Sequence, residues 1–184
     1  MSIVFSDASR TLQDRFDTRR LADRQADVIV HHAFTDADRA FIEAQDMYFL
    51  ASVDERGQPT CSYRGGDPGF VTVLDSTTLA FPNYDGNGMY LSMGNVVQTK
   101  GVGLLFIDFE GRKRVRVDGT AELAFEHPLL ERYPEAQFLV IVRAAAIYPN
   151  CPRYLHRLSR VERSPFVPRE GVTTPTPDRK STRL

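Results

Sequence analysis

Apolar and polar positions change their period several times along the chain, and each change marks an element. Leu12, Phe16 and Leu21 recur near helical spacing among arginines and aspartates. That predicts a moderately amphipathic helix over residues 10–27, capped by Ser6 or Ser9. Ala37, Ala40, Phe41 and Ala44 share one side of a second helix, which Thr35 or Asp36 opens and which ends before Met47. Residues 48–53 and 58–63 read as strands around the turn at 54–57. Residues 102–109 form a long apolar strand with Gly103 inside it. Residues 113–123 then alternate, with Val115, Val117, Gly119 and Ala121 on one face and Arg114, Arg116, Asp118 and Thr120 on the other. A short helix at 126–133 tolerates Pro128 in its first turn. A further apolar strand covers 137–148, and one helical turn is expected at 153–157.

The stretch from Ser62 to Asn95, SYRGGDPGFVTVLDSTTLAFPNYDGNGMYLSMGN, organises the rest. Its β-type runs at 70–74 and 78–82 are flanked by glycine-rich turns. Gly65-Gly66 and Asp67-Pro68-Gly69 force one reversal, and Asp85-Gly86-Asn87-Gly88 a second. Met89, Met93, Val96 and Val97 then follow helical spacing, which predicts a helix over 88–99 that stops at Lys100-Gly101. The layout is strand, turn, strand, turn, helix, and a helix start leaves backbone N–H groups free for an anion. Six or seven mostly antiparallel strands with few helices predict a mainly β fold, a small β-barrel with accessory helices whose closure removes exposed edges. Three regions are expected: a helical extension over 1–33, the barrel over 34–163, and an extended or disordered tail over 164–184, rich in proline and polar groups.

Composition narrows the function classes. Of 184 residues, 42% are hydrophobic and 26% charged, and the net charge is −1. A core can form, but the basic excess of a general nucleic-acid binder is missing. A near-neutral surface is also compatible with association between chains. Cys61 and Cys151 are the only cysteines, so neither a disulfide framework nor a zinc site is indicated. The longest apolar run, residues 138–142, is too short to span a membrane, and residues 1–10 lack the apolar segment of a signal peptide. A cytoplasmic location is the expectation.

Hydrolase and metal motifs are missing. His31, His32, His127 and His156 have no partner at ligand spacing; His31 and His32 are expected to face solvent, and His127 to cap a helix start. Three features carry candidate chemistry together. Ser62-Tyr63-Arg64-Gly65-Gly66 ends a strand with a hydroxyl, a ring and a cation, and the arginine fork suits phosphate; a surface arginine beside a turn is the plain alternative. Asn83, Asn87 and Asn95 suit a heterocycle edge or a phosphate, although turn chemistry accounts for Asn83 and Asn87 taken singly. Arg112, Lys113, Arg114 and Arg116 offer either a solvated face or a second anion-binding edge.

These motifs, with VGLLFIDFEGRKRVRVDGTAEL and YPNCPRYL, make residues 34–157 resemble the pyridoxamine 5′-phosphate oxidase-like family of FMN-binding split barrels. QDRFDTRRLADR resembles an N-terminal extension carried by one branch of it. The resemblance implies a homodimer with two FMN molecules in clefts between the subunits. It places Cys61, Ser62, Tyr63 and Arg64, with Gly65 following, along the flavin ring. Phe81, Pro82 and Asn83 run past its polar edge and ribityl chain, and Asn87, between Gly86 and Gly88, faces the phosphate. Arg114 stands where the oxidase has a flavin-contacting glutamine, and Gly94-Asn95 belongs to a motif of this branch. Gly86 and Gly88 replace the serine and lysine that hold the phosphate in the oxidase itself. Phosphate contact then falls to backbone N–H groups, Asn87 and Arg64 or Arg114, and pyridoxamine phosphate is not the expected substrate. The expectation is a flavin-dependent oxidoreductase acting on a small-molecule substrate or electron donor. The alternatives are a non-catalytic flavin or haem sensor or carrier, a deazaflavin reductase, and a barrel without cofactor.

Overall fold

A computed structural model describes residues 5–177. Seven strands form one antiparallel sheet in the order β2-β1-β5-β6-β7-β4-β3. They are β1 (Met47–Val53), β2 (Pro59–Gly65), β3 (Thr72–Val73), β4 (Thr78–Asn83), β5 (Gly101–Asp108), β6 (Lys113–Ala124) and β7 (Phe138–Pro149). The run at 70–74 yields only the two-residue β3. β6 shows the alternation read from the sequence, because one of its faces is buried, whereas β4 is buried on both faces. Tyr48, Leu50, Leu79, Phe81, Leu104, Phe106, Val117, Leu139 and Ile147 fill the interior, each at most 1% exposed. Tyr48 is its centre, with ring centroids of Phe106, Phe81 and Phe70 at 5.1, 5.2 and 5.8 Å.

The sheet curls until its two margins meet without a ladder between them. Arg64 on β2 donates from Nη1 to Asn83 Oδ1 on β4 at 3.3 Å. Past the end of the β1–β2 ladder, Gly66 N–H donates to the Asp46 carbonyl at 2.9 Å and Gly69 N–H to that of Glu43 at 2.7 Å, which fixes the chain leaving β2. This is a split barrel. Pairing of β6 with β7 shifts at Asp118/Gly119, where Ala145 is passed over. A Cβ at Gly119 would overlap the Arg143 carbonyl, so that position needs glycine. The Ala145 carbonyl accepts instead from His32 Nδ1 at 2.6 Å; His32 is exposed, as expected, while His31 is half-buried. His31 Nε2 likewise lies 2.8 Å from Asp38 Oδ2.

The helices differ from expectation in three places. Residues 10–27 are not one helix but two, α1 (Asp7–Arg15) and α2 (Arg19–Ile29). Asp17 takes φ 51°, with Thr18 N–H on the Gln13 carbonyl and Asp17 N–H on that of Asp14. That is a Schellman stop built on aspartate, and without glycine the sequence gives no obvious stop signal. An Arg10–Asp23 pair at 2.5 Å closes the hairpin. Next, α3 (Asp36–Glu43) starts as expected from Thr35, in a capping box with Asp38. Then α4 (Leu91–Thr99) begins three residues later than expected, from Tyr90 in the left-handed region at φ 50°. It packs on β1 and β6. Residues 126–133 shorten to a 3₁₀ turn, Pro128–Arg132, on which His127 Nδ1 caps Leu129 N–H, and 153–157 form a turn without helix. Residues 164–177 hold turns and one bridge, Arg169 to Val172.

Candidate functional site

The pleat of β2 divides the residues singled out in the sequence. Successive side chains point to opposite faces. Ser62 and Arg64 pair with the buried Leu50 and Tyr48 of β1 and so face inward. Tyr63 and Gly65 face outward, where the Tyr63 ring folds across Gly65 and meets Phe49 edge-on at 6.2 Å.

The inner set converges with residues the sequence reading had passed over. Ser62 Oγ lies 3.1 Å from Ser92 Oγ, in the first turn of α4. Asn83, 4% exposed, accepts from Arg64 and donates from Nδ2 to Gln137 Oε1 at 3.0 Å. The Tyr90 hydroxyl donates to the same Gln137 oxygen at 3.0 Å. Arg64, Asn83, Gln137 and Tyr90 therefore form one chain of hydrogen bonds. Arg64 Nε is buried without a partner, a costly state for a guanidinium N–H and one that an added acceptor would relieve. Tyr90 supplies no side-chain cap to α4, so its first-turn amides remain available as donors.

This polar corner ends an apolar groove of about 450 Å³. Met93, Val97, Leu123, Phe125 and Phe138 line it, and Gly94 keeps its helix side open because no side chain projects there. A concave apolar cleft with a few convergent polar groups is the usual form of a cofactor site. Signals for Tyr90 and Gln137 existed only as isolated polar groups beside a turn and beside the apolar run FLVIV.

Other candidates lie elsewhere. Phe81 and Pro82 are buried in the barrel wall. Asn95 Nδ2 is committed to Ser52 Oγ at 3.1 Å and Thr60 Oγ1 at 3.3 Å. Asn87 is exposed; its Oδ1 accepts from Met89 N–H at 3.0 Å, leaving Nδ2 free. Arg114 stands on the outer face of β6, separated from β2 by β1 and β5, and donates from Nη2 to the Cys151 carbonyl at 2.7 Å, with Nε buried and without a partner among the described residues.

Outside β2, Tyr63, Gly65, Gly66 and Tyr84 border a second cavity of about 730 Å³, roofed by residues 158–169. Burial, with Tyr133 and Asp67 nearby, pushes the Tyr84 hydroxyl up to about 12. Hydrogen bonds from Arg169 outweigh burial at Asp67 and hold its carboxyl below the usual range. Among the described residues no His/Cys/Asp/Glu group has the makings of a metal site, and no helix is long and apolar enough to cross a membrane.

Comparison with curated proteins finds no match. Among solved structures, HupZ of Group A Streptococcus has a TM-score of 0.52 at 19% identity, covering 68% of this chain and 99% of that one. An FMN-binding protein from Syntrophomonas wolfei has a TM-score of 0.52 at 11% identity, covering 76% of this chain and 97% of its own. At such identities the likeness concerns the fold. The family model of pyridoxamine 5′-phosphate oxidase matches residues 34–153, the stretch that holds every strand and the Arg64–Asn83–Gln137–Tyr90 chain. This chain belongs to the pyridoxamine 5′-phosphate oxidase family.

Proposed function

We propose that the protein is an FMN-binding flavoprotein, a homodimer that uses the flavin as a redox centre for a small-molecule substrate or electron donor. The observation that supports this reading best is the hydrogen-bonded chain that starts from Tyr90 and Gln137, at the edge of an apolar groove, and runs through Asn83 to Arg64, whose Nε is buried without a partner among the described residues. A flavin is a planar, largely apolar ring with one polar edge and an anionic tail, and these residues offer a surface for each part. Arg64 and the first-turn amides of α4 would hold the phosphate through charge-assisted hydrogen bonds, with Asn87 Nδ2 as a further donor. Asn83, Gln137 and Tyr90 would orient the polar edge. Met93, Val97 and Phe125 would exclude water from the ring.

When bound, FMN supplies the acceptance and release of electrons; the protein supplies binding, orientation and electrostatic tuning. Within one chain Arg114 lies apart from this corner, so any contact it makes with the cofactor comes from the second subunit. Tyr90, Val97 and Phe125 of the groove, with Met89 and Leu91 next to Tyr90 in the chain, are all 45% exposed or more, an apolar surface that a second chain would cover.

The test is a fluorescence titration of the purified protein with FMN, alongside its absorbance spectrum. Tight quenching of flavin fluorescence, lost in Arg64→Ala, is the expected result. A haem-type spectrum or no affinity for FMN rejects the reading. Bleaching of bound flavin by a nicotinamide donor separates an oxidoreductase from a carrier.

A further inference from the structure

The N-terminal hairpin has little apolar hold on the barrel. Neither α1 nor α2 buries a residue, and Leu12, Phe16, Leu21 and Val28 are each more than half exposed. Among the described residues, hydrogen bonds from this part of the chain to the barrel begin in the linker into α3, at His31 and His32. His31 pairs with Ile147 through both main-chain groups, at 3.0 and 2.8 Å. That bridge uses the part of β7 beyond Arg143, where pairing with β4 has ended. His32 donates from Nδ1 to the Ala145 carbonyl, a bond that a neutral imidazole also makes.

The ring of His31 is placed differently. Nδ1 lies 3.1 Å from the Ile29 carbonyl, and Nε2 lies 2.8 Å from Asp38 Oδ2. A carbonyl only accepts, and so does an ionised carboxylate. A neutral imidazole carries one N–H, so it satisfies one of these contacts and turns a lone pair on the other. The doubly protonated ring satisfies both. Burial pushes the Asp38 carboxyl up, but hydrogen bonds from Thr35 and His31 with the His31 charge outweigh it and hold the group below the usual range. Asp38 is therefore an anion wherever a histidine changes charge. Ile29 ends α2, whose last turn has no basic residue, so a cation there also faces the negative end of the helix dipole. Among the described residues Asp38 is the one acid within ion-pair distance of the ring; Asp27 on α2 and Asp36 on α3 are exposed and do not pair with it. From β7 the ring's neighbour is the main chain of Ile147.

We infer that His31 is a proton-operated latch, whose doubly protonated ring ties the end of α2 to the start of α3 and whose deprotonation frees the α1–α2 hairpin to move against the barrel. The carboxylate keeps the remaining N–H, because a hydrogen bond to a charged acceptor is the stronger one. The contact released is that to Ile29, so the end of α2 loosens while the cap of α3 stays. The latch is closed at acid pH and opens as pH rises through the range in which histidines titrate. It is independent of what the groove beside α4 holds.

Hydrogen exchange of the full chain at about pH 6 and pH 8, corrected for intrinsic rates, tests the latch. Protection of residues 26–34 should fall about fivefold at the higher pH, as loss of one hydrogen bond allows, while the strands keep theirs. His31→Ala should show the low protection at both pH values. His32→Ala should keep the pH response, because its contact needs no charge. A second reading covers the case in which His31→Ala does not fold. Nitrogen-15 spectra of the imidazoles in the unmutated chain should show His31 passing from the doubly protonated ring to the form protonated at Nε2. Protection that does not change with pH, a response that survives in folded His31→Ala or vanishes in His32→Ala, or a neutral form protonated at Nδ1 overturns the inference.

Discussion

The groove beside α4 and the chamber beneath the C-terminal arm are built by different means. The groove is walled by α4, β6 and β7, and its shape follows from packing of Met93, Leu123 and Phe138. Its polar groups gather at one corner, in a single hydrogen-bonded chain. The chamber is bordered by charged groups, and its roof is irregular chain held by arginine–aspartate pairs. Exposed pairs contribute about 0–1 kcal/mol each, whereas dismantling the groove means unpacking the core. Local opening concentrates where buried apolar contacts are few. The groove is thus held by core packing, whereas the roof of the chamber rests on contacts that open more readily.

Three measurements can break that comparison, and the largest effect belongs to the groove. Arg64→Ala should weaken FMN binding by about 1.5–3 kcal/mol, the usual cost of losing a hydrogen bond to a charged group. Arg169→Gln, in the chamber, should leave FMN affinity unchanged in the same fluorescence titration. Equal losses in both variants would mean that the two cavities act as one site. Next, a charge placed on the groove rim by Phe125→Asp should shift the protein from dimer toward monomer in light scattering, because an unpaired carboxylate cannot be buried cheaply. A mass that stays that of a dimer would put the subunit contact elsewhere.

A smaller effect concerns the arm. Asp67 titrates below its unfolded value because Arg169 donates to it, with Arg163 adding its charge, and these outweigh burial. A lowered folded pKa stabilises the closed arm fully above the unfolded value of about 3.9. That contribution fades as pH falls through the lower folded value. Hydrogen exchange of residues 158–169, corrected for intrinsic rates, should therefore show protection at pH 6 that declines only as pH falls below about 3.9 while the strands stay protected. Protection that persists at low pH would mean that packing, not charge, holds the roof.

Strand β6 was legible in the sequence because one face is buried, and alternation at Val115, Val117 and Ala121 reports it directly; β4, buried on both faces, read only as a β-type run. Thr35 was legible too, since its cap is local chemistry. Two helix features were not, and for the same reason. Asp17 and Tyr90 hold the left-handed backbone that glycine usually takes, so neither the break after α1 nor the late start of α4 carries its common signature. The candidate site was legible only in part. Arg64 and Asn83 could be singled out by residue type, but their meeting depends on closure of the barrel between β2 and β4, which no local pattern encodes. Gln137 joins them from 54 positions along the chain. The Asp67–Arg169 contact spans 102 positions and relies on an arm whose proline-rich composition suggested no fixed place.

The smallest expected effect lies between the two cavities, at Tyr48. Its hydroxyl is fully buried with no hydrogen-bond partner, and burial raises its pKa well above the ordinary tyrosine value despite the nearby Arg64 charge. An unsatisfied buried hydroxyl costs about 1–3 kcal/mol. Tyr48→Phe removes that cost and keeps the ring that meets Phe70, Phe81 and Phe106. The variant should be as stable as the unmutated protein or more so by roughly 1 kcal/mol in urea unfolding, since part of the gain is offset by lost dispersion contacts. FMN affinity should not change, because the hydroxyl makes no hydrogen bond to Arg64, Asn83, Gln137 or Tyr90. A clear loss of stability would instead mean that an internal water joins Tyr48 to the unpartnered Nε of Arg64. The polar corner of the groove would then reach into the barrel itself.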